Sequence, residues 1–422
     1  MNYKRVFLKR GKEESLLRFH PWIFSGALKG IDEGIDEGET VRVVSEKGDF
    51  IAIGHYQQGS IAVRVLTFSD VPIDSDFWES RLLSALQLRQ ALGLAQPSAF
   101  TLQSSPTTSA YRLVHGEGDH LPGLIIDIYG QTAVMQAHSI GMHQQRHAIA
   151  TALKQVMGNS IDSIYYKSET TLPFMEPENG FIMGSCDNNI AVENGLKFYV
   201  DWIKGQKTGF FVDQRDNRAL VEHYARDRRV LNMFCYTGGF SFYAMRGGAK
   251  IVHSVDSSAK AIELTRKNVE LNFPGDPRHE AFCDDAFHFL ETHLLSPQQG
   301  ESSFAQPPLS QSGDIGKELY DLIILDPPAF AKHRGALHNA LKGYTRLNNK
   351  AFEKIAKGGI LFTFSCSQVV TKDHFRNAVF TAAAQARRKV RILHQLHRPA
   401  DHPVNIYHPE GEYLKGLVLY VE

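Results

Sequence analysis

The sequence predicts an α/β protein in three parts. Residues 1–72 form a β-rich domain, residues 73–188 a central α+β domain, and residues 189–422 a Rossmann-like domain that opens with a linking hairpin at 189–217. Three observations predict this. Short apolar stretches separated by glycine and acidic turns fill the first part, as half-buried strands do. A long amphipathic helix followed by strands marks the second. From about Arg218 onward, strands alternate with helical stretches, which implies a mostly parallel sheet covered on both faces.

In chain order, Val6–Leu8, Val41–Val44, Ile51–His55 and Ile61–Leu66 read as the strands of the first domain, and Val71-Pro72 marks its end. Phe77 to Leu94 carries apolar residues at helical spacing. LPGLIIDIYG, TAVMQAH and SIYYKS read as strands, with a helix from about Ile140 to Met157, and this domain ends near Asn188. IAVENG and LKFYVDW form the hairpin. RVLNMF, KIVHSVD, HEAFCDD, YDLIILDPP, GGILFTFSC and KGLVLYVE are the strands of the last domain. Residues 296–317, rich in Ser, Gln and Pro, read as a surface insertion.

The chain has 422 residues, with 46 basic and 46 acidic side chains, so its net charge points to no particular polyanionic partner. The charged N-terminus lacks the apolar run of a secretory signal, and stretches such as Leu322–Leu325 are far too short to span a bilayer. Four scattered cysteines without a CxxC pair predict neither a disulfide framework nor a zinc site, and suit a reducing cytoplasm. His143 and His147 share a helix face without a carboxylate to complete a site, so no metal is expected. The basic clusters at Lys4–Lys12 and Arg387–Arg391 suit either a phosphate grip or a solvated face.

Four segments carry chemistry. In VLNMFCYTGGFS a strand runs into Thr237-Gly238-Gly239 and then a helix, a turn that brings a ligand close to free backbone N–H groups. Eighteen residues after Gly238, Asp256 ends the next strand, where a carboxylate accepts ribose hydroxyls. Without GxGxxG there is no pyrophosphate cradle, which favours a nucleoside such as S-adenosyl-L-methionine. In CDDAF, Asp285 suits an adenine amino group or caps the following helix. In LIILDPPAF, Pro327 and Pro328 fix the backbone so that Asp326 and Phe330 face the top of the sheet, suited to the edge and face of an amino-bearing base. In TFSCSQ, Cys366 ends a strand at the sheet mouth, where a thiolate is a nucleophile. Cys235 reads as pocket lining. KGQKTGFFVDQRDNR, just before the last domain, is a turn in which Asp213 and Arg215 lock the backbone or reach a cofactor carboxylate.

QKTGFFVDQRDNR, LNMFCYTGGFS, SVDSS, CDDAF, ILDPPAF and TFSCS, in this order, resemble the bacterial class I S-adenosylmethionine-dependent ribosomal RNA methyltransferases that make 5-methylcytosine in large-subunit RNA. HPWIFSGAL and the first strands resemble that family's PUA RNA-binding domain, LPGLIIDIYG its central domain, and DHPVNIYHPEGEYLKG a late segment. The 296–317 insertion departs from the pattern. The resemblance implies a class I methyltransferase fold and S-adenosyl-L-methionine held by Lys207, Thr208, Gly209, Phe210, Asp213, Arg215, Phe234, Tyr236, Thr237, Gly238, Gly239, Asp256, Ser257, Asp284, Asp285, Ala286 and Asp326. It also implies base contacts from Pro327, Pro328 and Phe330, with Cys366 and Asp326 as catalytic residues. A cytoplasmic enzyme acting on ribosomal RNA is expected, with no membrane partner and with a homodimer allowed. Three alternatives remain at this level: an amino-group RNA methyltransferase, a non-catalytic RNA-binding protein, and a nucleotide-dependent dehydrogenase.

Overall fold

The structure, a computed structural model, describes residues 3–95, 108–172, 178–186, 189–292 and 320–422; the 296–317 segment and the expected boundary at Asn188 lie outside these. The chain divides into two compact units. The first comprises Met1–Arg215 with Pro399–Glu412, the second Asp216–Arg398 with Tyr413–Glu422.

In the first unit, β1 (Arg5–Leu8), β2 (Trp22–Phe24), β3 (Leu28–Ile31), β4 (Thr40–Val44), β5 (Phe50–Tyr56) and β6 (Ile61–Thr67) form a described sheet in the order β2-β6-β5-β4-β1-β3. The short α1 (Glu14–Leu17) lies between β1 and β2. Alternate residues such as Val6, Leu8, Val41, Val43, Val63 and Val65 are buried on its inner face, as period-two patterning requires. Helix α2 (Ser75–Ala91) starts two residues earlier than expected because Asp74 caps it, accepting from the Phe77 N–H at 3.1 Å. It ends near Gly93, whose φ of 72° is the left-handed geometry that terminates helices.

A second sheet runs β11-β10-β9-β8-β7, from β7 (Ala110–His115), β8 (Leu124–Tyr129), β9 (Thr132–Ala137), β10 (Ser163–Lys167) and β11 (Asn179–Met183). The helix expected over 140–157 is two helices, α3 (Ile140–Gln144) and α4 (Arg146–Met157), parted where the Arg146 guanidinium takes the His143 carbonyl at 2.9 Å. β12 (Ile190–Glu193) and β13 (Leu196–Tyr199) form the antiparallel hairpin.

A buried ionic network runs through this unit. Arg89 grips Asp119 through two bonds and donates to the carbonyls of Arg112 and Asp401, both at 2.7 Å. Arg112 grips Asp127 at 2.7 and 2.8 Å. Arg215 grips Asp401 at 2.9 and 3.0 Å, and Asp401 also accepts from the Arg112 N–H and faces His402. Burial alone raises the Asp401 carboxyl, but His402 and Arg215 beside it hold it well below the usual carboxylate range.

In the second unit the described strands are β14 (Arg229–Met233), β15 (Ile251–Asp256), β16 (His279–Cys283), β17 (Tyr320–Leu325), β18 (Ile355–Ser365), β19 (Val390–Leu396) and β20 (Lys415–Val421), in the order β16-β15-β14-β17-β18-β20-β19. β16 through β18 are parallel, and β20 joins antiparallel to β18 and β19. Helices α5 (Arg215–Tyr224), α6 (Gly239–Arg246), α7 (Ala259–Asn272), α8 (Ala286–Thr292), α9 (Leu337–Lys354) and α10 (Lys372–Gln385) complete it. The continuous buried run Leu322–Leu325 is what a strand covered on both faces requires. The strand order reverses between β14 and β17, so the loops after these strands flank a switch point, where open α/β sheets bind ligands. Of the C-terminal basic cluster, Arg388 donates to the Phe352 and Ile355 carbonyls at 2.8 and 3.1 Å, and Arg391 pairs with Glu422. Arg388 therefore serves the fold.

Replacing Asp401 by Ala leaves the Arg215 guanidinium buried without its carboxylate. The expected cost is about 3–5 kcal/mol in denaturant unfolding of the first unit; a loss below about 1 kcal/mol contradicts this reading of the network. Because the carboxyl is depressed in the folded state, its contribution is full above the unfolded value of about 4 and is lost as pH falls below it.

Candidate active site

The loop after β14 is held in uncommon geometry. Phe234 and Tyr236 have φ of 58° and 49°, and Gly238 has φ of 84°. Non-glycine residues adopt positive φ only where the surroundings fix them. Here the Cys235 N–H donates to the Val255 carbonyl at 3.0 Å, Thr265 Oγ1 donates to the Tyr236 carbonyl at 2.9 Å, and Asn268 Nδ2 donates to the Thr237 carbonyl at 3.2 Å. A Cβ on Gly238 would lie 2.5 Å from the Phe242 ring and 2.8 Å from Thr265 Cγ2. α6 then starts at Gly239 with its first N–H groups at this edge of the sheet.

Asp256 ends β15 beside this loop. Its carboxylate accepts from the Tyr236 N–H at 3.0 Å and the Ser258 N–H at 2.9 Å, which aims it, while Ser258 caps α7 by accepting from Ala261. Asp256 is half-buried and Ser257 exposed. After β16, Asp285 is the helix cap: it accepts from the Phe287 and His288 N–H groups at 2.9 and 3.1 Å and is otherwise exposed. Asp284 is the more enclosed of the two. It accepts from the Asp285 N–H at 2.7 Å and contacts His288 Nδ1 at 2.8 Å. That contact, together with the Asp284 charge, raises the His288 pKa. Ala286 is buried at the start of α8.

Asp326 follows β17 and is half-buried, with Pro327 buried and Pro328 exposed. Phe330 leans on Tyr344 of α9, with ring centroids 4.6 Å apart, and a Cβ on Gly343 would lie 3.0 Å from it. Cys366 follows β18 directly and is half-buried, with Sγ 3.8 Å from the Pro327 carbonyl. Sequence reasoning did not single out the residues that hold these two segments together. Ser367 Oγ donates to the Ala331 carbonyl at 2.5 Å, and Lys415 Nζ, from β20, donates to the Ser367 and Val370 carbonyls, each at 2.5 Å. Tyr344 lies beneath. Burial pushes its phenol up to about 12, and the Cys366 and Asp326 charges push the same way.

Cys235 differs sharply from Cys366. It is 6% exposed, and burial, then the Asp256 charge, pushes its thiol far above the ordinary value. It is a packed residue against Ile262 and Ala281. The structure thus brings Phe234, Tyr236, Thr237, Gly238, Gly239, Asp256, Ser257, Asp284, Asp285 and Ala286 to the carboxyl ends of β14–β16, and Asp326, Pro327, Pro328, Phe330 and Cys366 to those of β17 and β18.

The remaining candidates, Lys207, Thr208, Gly209, Phe210, Asp213 and Arg215, belong to the first unit. Lys207 Nζ lies 3.3 Å from Asp213 Oδ2 and 4.4 Å from the centre of the Phe211 ring. Thr208 is fully buried, donating to Asp127 at 2.6 Å. Gly209 has φ of 110°, and a Cβ there would strike the Asp201 and Trp202 backbone at 2.8 Å. Phe210 packs on Phe198, and Arg215 is committed to Asp401.

The donor set suits a nucleoside carrying a positive charge. It offers carboxylates for hydroxyl and amino groups, and the 234–239 turn has no basic side chain for a pyrophosphate. Comparison with known proteins agrees. Residues 176–410 match the family model described as S-adenosylmethionine-dependent methyltransferase, and residues 6–68 that of a PUA-like domain. The chain is 40% identical to the ribosomal RNA large subunit methyltransferase I of Tolumonas auensis over 98% of both chains. It is 37% identical to that of Klebsiella pneumoniae strain 342 over 99% of this chain and 98% of the relative. Among solved structures, a Streptococcus mutans protein assigned as a SAM-dependent methyltransferase shares the fold with a TM-score of 0.79 at 22% identity, covering 99% of both chains. A methyltransferase solved as a complex with SAH matches to the same extent.

Gly238→Ala places a methyl group against Phe242 at a φ that L-residues avoid. Its expected cost is about 1–3 kcal/mol, read as a lower unfolding midpoint of the second unit; an unchanged midpoint refutes the constraint.

Proposed function

The chain belongs to the S-adenosylmethionine-dependent methyltransferases of the ribosomal RNA large subunit methyltransferase I family, and from this we propose that it forms 5-methylcytosine in large-subunit ribosomal RNA through a covalent Cys366 adduct. The observation that supports the reading is the half-buried Cys366 thiol set 3.8 Å from the carbonyl of Pro327, the residue after Asp326. S-adenosylmethionine supplies an electrophilic methyl group; Asp256, Asp284 and the Tyr236–Gly239 turn are the groups we assign to hold it.

Carbon 5 of cytosine is too weak a nucleophile to take a methyl group unaided. In the proposed reaction the Cys366 thiolate bonds to carbon 6, and the ring π electrons shift toward carbon 5 and nitrogen 3. Asp326 is assigned to the nitrogen-3 and amino edge, where its protonated form would donate to nitrogen 3 and stabilise the charge that builds there. Carbon 5 then accepts the methyl group. Loss of the carbon-5 proton to a base and departure of the thiolate restore the aromatic ring and free the enzyme. The fully packed Cys235, held as a neutral thiol, is unsuited to the nucleophile's role. A base inside a helix cannot meet this edge of the sheet, so the target nucleotide is unstacked or single-stranded. We assign residues 1–72 the role of an RNA-binding module, in keeping with the PUA-like match.

The Asp326-Pro327-Pro328 loop also favours a second reading, methylation of an exocyclic amino group, which needs no thiol. The two separate cleanly. Incubation with 5-fluorocytosine-substituted large-subunit RNA and S-adenosylmethionine is expected to trap a protein–RNA adduct that survives denaturation, because fluorine cannot leave as a proton does. Cys366→Ala is expected to abolish both adduct and turnover while cofactor affinity stays unchanged. Full turnover in Cys366→Ala contradicts the covalent mechanism and favours the amino-group reading.

A further inference from the structure

α9 carries a stripe of cationic and titratable groups. Together with Arg334 in the turn before it, His338, Lys342, Arg346 and Lys350 recur every four residues, so that neighbours in the row stack one above the next with a drift of about 40° per step. The first four are exposed. Lys350 pairs with Glu291 and Glu353, whereas Arg334, His338, Lys342 and Arg346 have no carboxylate partner among the described residues. The Arg346 guanidinium lies 4.0 Å over the Phe287 ring, which fixes its direction without using its donors.

His338, Lys342 and Arg346 border a groove between α9 and α10. Its α10 wall presents His374, Asn377, Thr381 and Gln385, and no carboxylate lines it among the described residues. The placement is unfavourable for the helix itself. The positive end of the helix macrodipole disfavours cations near the N-terminus, yet the first turn holds no acid and Arg334, His338 and Lys342 cluster there. An ordinary solvated face intersperses both signs of charge. Successive members of the stripe rise about 6 Å along the axis, comparable to the step between phosphates of an extended strand. Moreover, the Asp326–Phe330 loop that follows β17 leads through the Arg334–Ala336 turn into α9.

We propose that the α9–α10 groove is a track for the phosphate backbone of the RNA strand that delivers its base to Cys366. Lys342 and Arg346 would provide the central phosphate contacts and His338 the contact nearest the loop. The proposal rests on the RNA-methylating reading above and adds to it a binding surface in the second unit.

The test measures binding of a large-subunit RNA transcript to the full chain across a series of salt concentrations, for wild type, Lys342→Gln/Arg346→Gln, and the charge-keeping Lys342→Arg/Arg346→Lys. For the neutral pair, affinity at low salt is expected to fall roughly tenfold, and the slope of log affinity against log salt to shrink by about 1.4, or about 0.7 per phosphate contact. The charge-keeping pair is expected to retain both, and S-adenosylmethionine binding by calorimetry, unchanged in all three, reports correct folding. Wild-type affinity and slope in a folded neutral variant overturn the track. Wild-type formation of 5-methylcytosine judges the reaction separately, so an enzyme that methylates RNA while its neutral variant binds as wild type loses this proposal alone.

Discussion

Ser367 ties the segment that carries Asp326 to the one that carries Cys366. Its hydroxyl grips the Ala331 carbonyl, so the turn after β18 is fastened to the loop after β17. Its own carbonyl is held by Lys415, which also takes the Val370 carbonyl and so pins both ends of the turn that follows Cys366. Lys415 is 7% exposed and is paired in register with Ser365. The antiparallel β20 thus supplies, from the far end of the sequence, the donor that fixes the turn next to the Cys366 thiol at the end of a parallel strand. A thiol and a carboxylate on separate loops act on one ring only if their separation is fixed before the ring arrives.

The rest of the second unit serves the same geometry. The reversal of strand order opens the sheet edge between β14 and β17. The loop after β14 carries positive φ at Phe234, Tyr236 and Gly238, a strained shape maintained by Thr265, Asn268 and Asp256. Asp256 gives two acceptor positions to backbone N–H groups, which aims the remainder of the carboxylate. The contrast between the two cysteines follows from position alone: Cys235 is folded inward against Ile262 and Ala281, while Cys366 stands half-buried at the mouth.

Much of this was legible in the sequence because strands and turns carry strong local signals. The β-rich start, the hairpin and the parallel strands of the last domain follow from alternation, from continuous apolar runs and from glycine or proline punctuation. Strand β7 was not legible, because buried Arg112 interrupts its apolar run and is tolerated only through Asp127, fifteen residues away. Strand β19 was hidden by the basic cluster beside it, whose Arg388 is spent on backbone carbonyls. At the site, Asp285 looked the better ligand of its pair, yet its carboxylate caps α8 and Asp284 is the more enclosed. Lys415 and Ser367 gave no signal because their role exists only after the sheet forms. The four-residue spacing of the α9 cations, by contrast, is plain in the sequence; what was missing was the neighbouring helix that turns a charged face into a groove.

The central claim is that one thiol, held by this tie, converts cytosine to 5-methylcytosine in large-subunit RNA. Nucleotide-resolution mass mapping of ribosomal RNA from cells that lack the protein, complemented with either wild type or Cys366→Ala, tests it most directly. The account predicts a 5-methylcytosine that returns with wild type and stays absent with the variant. A methyl mark that returns equally with both, or that sits on an exocyclic nitrogen, contradicts it.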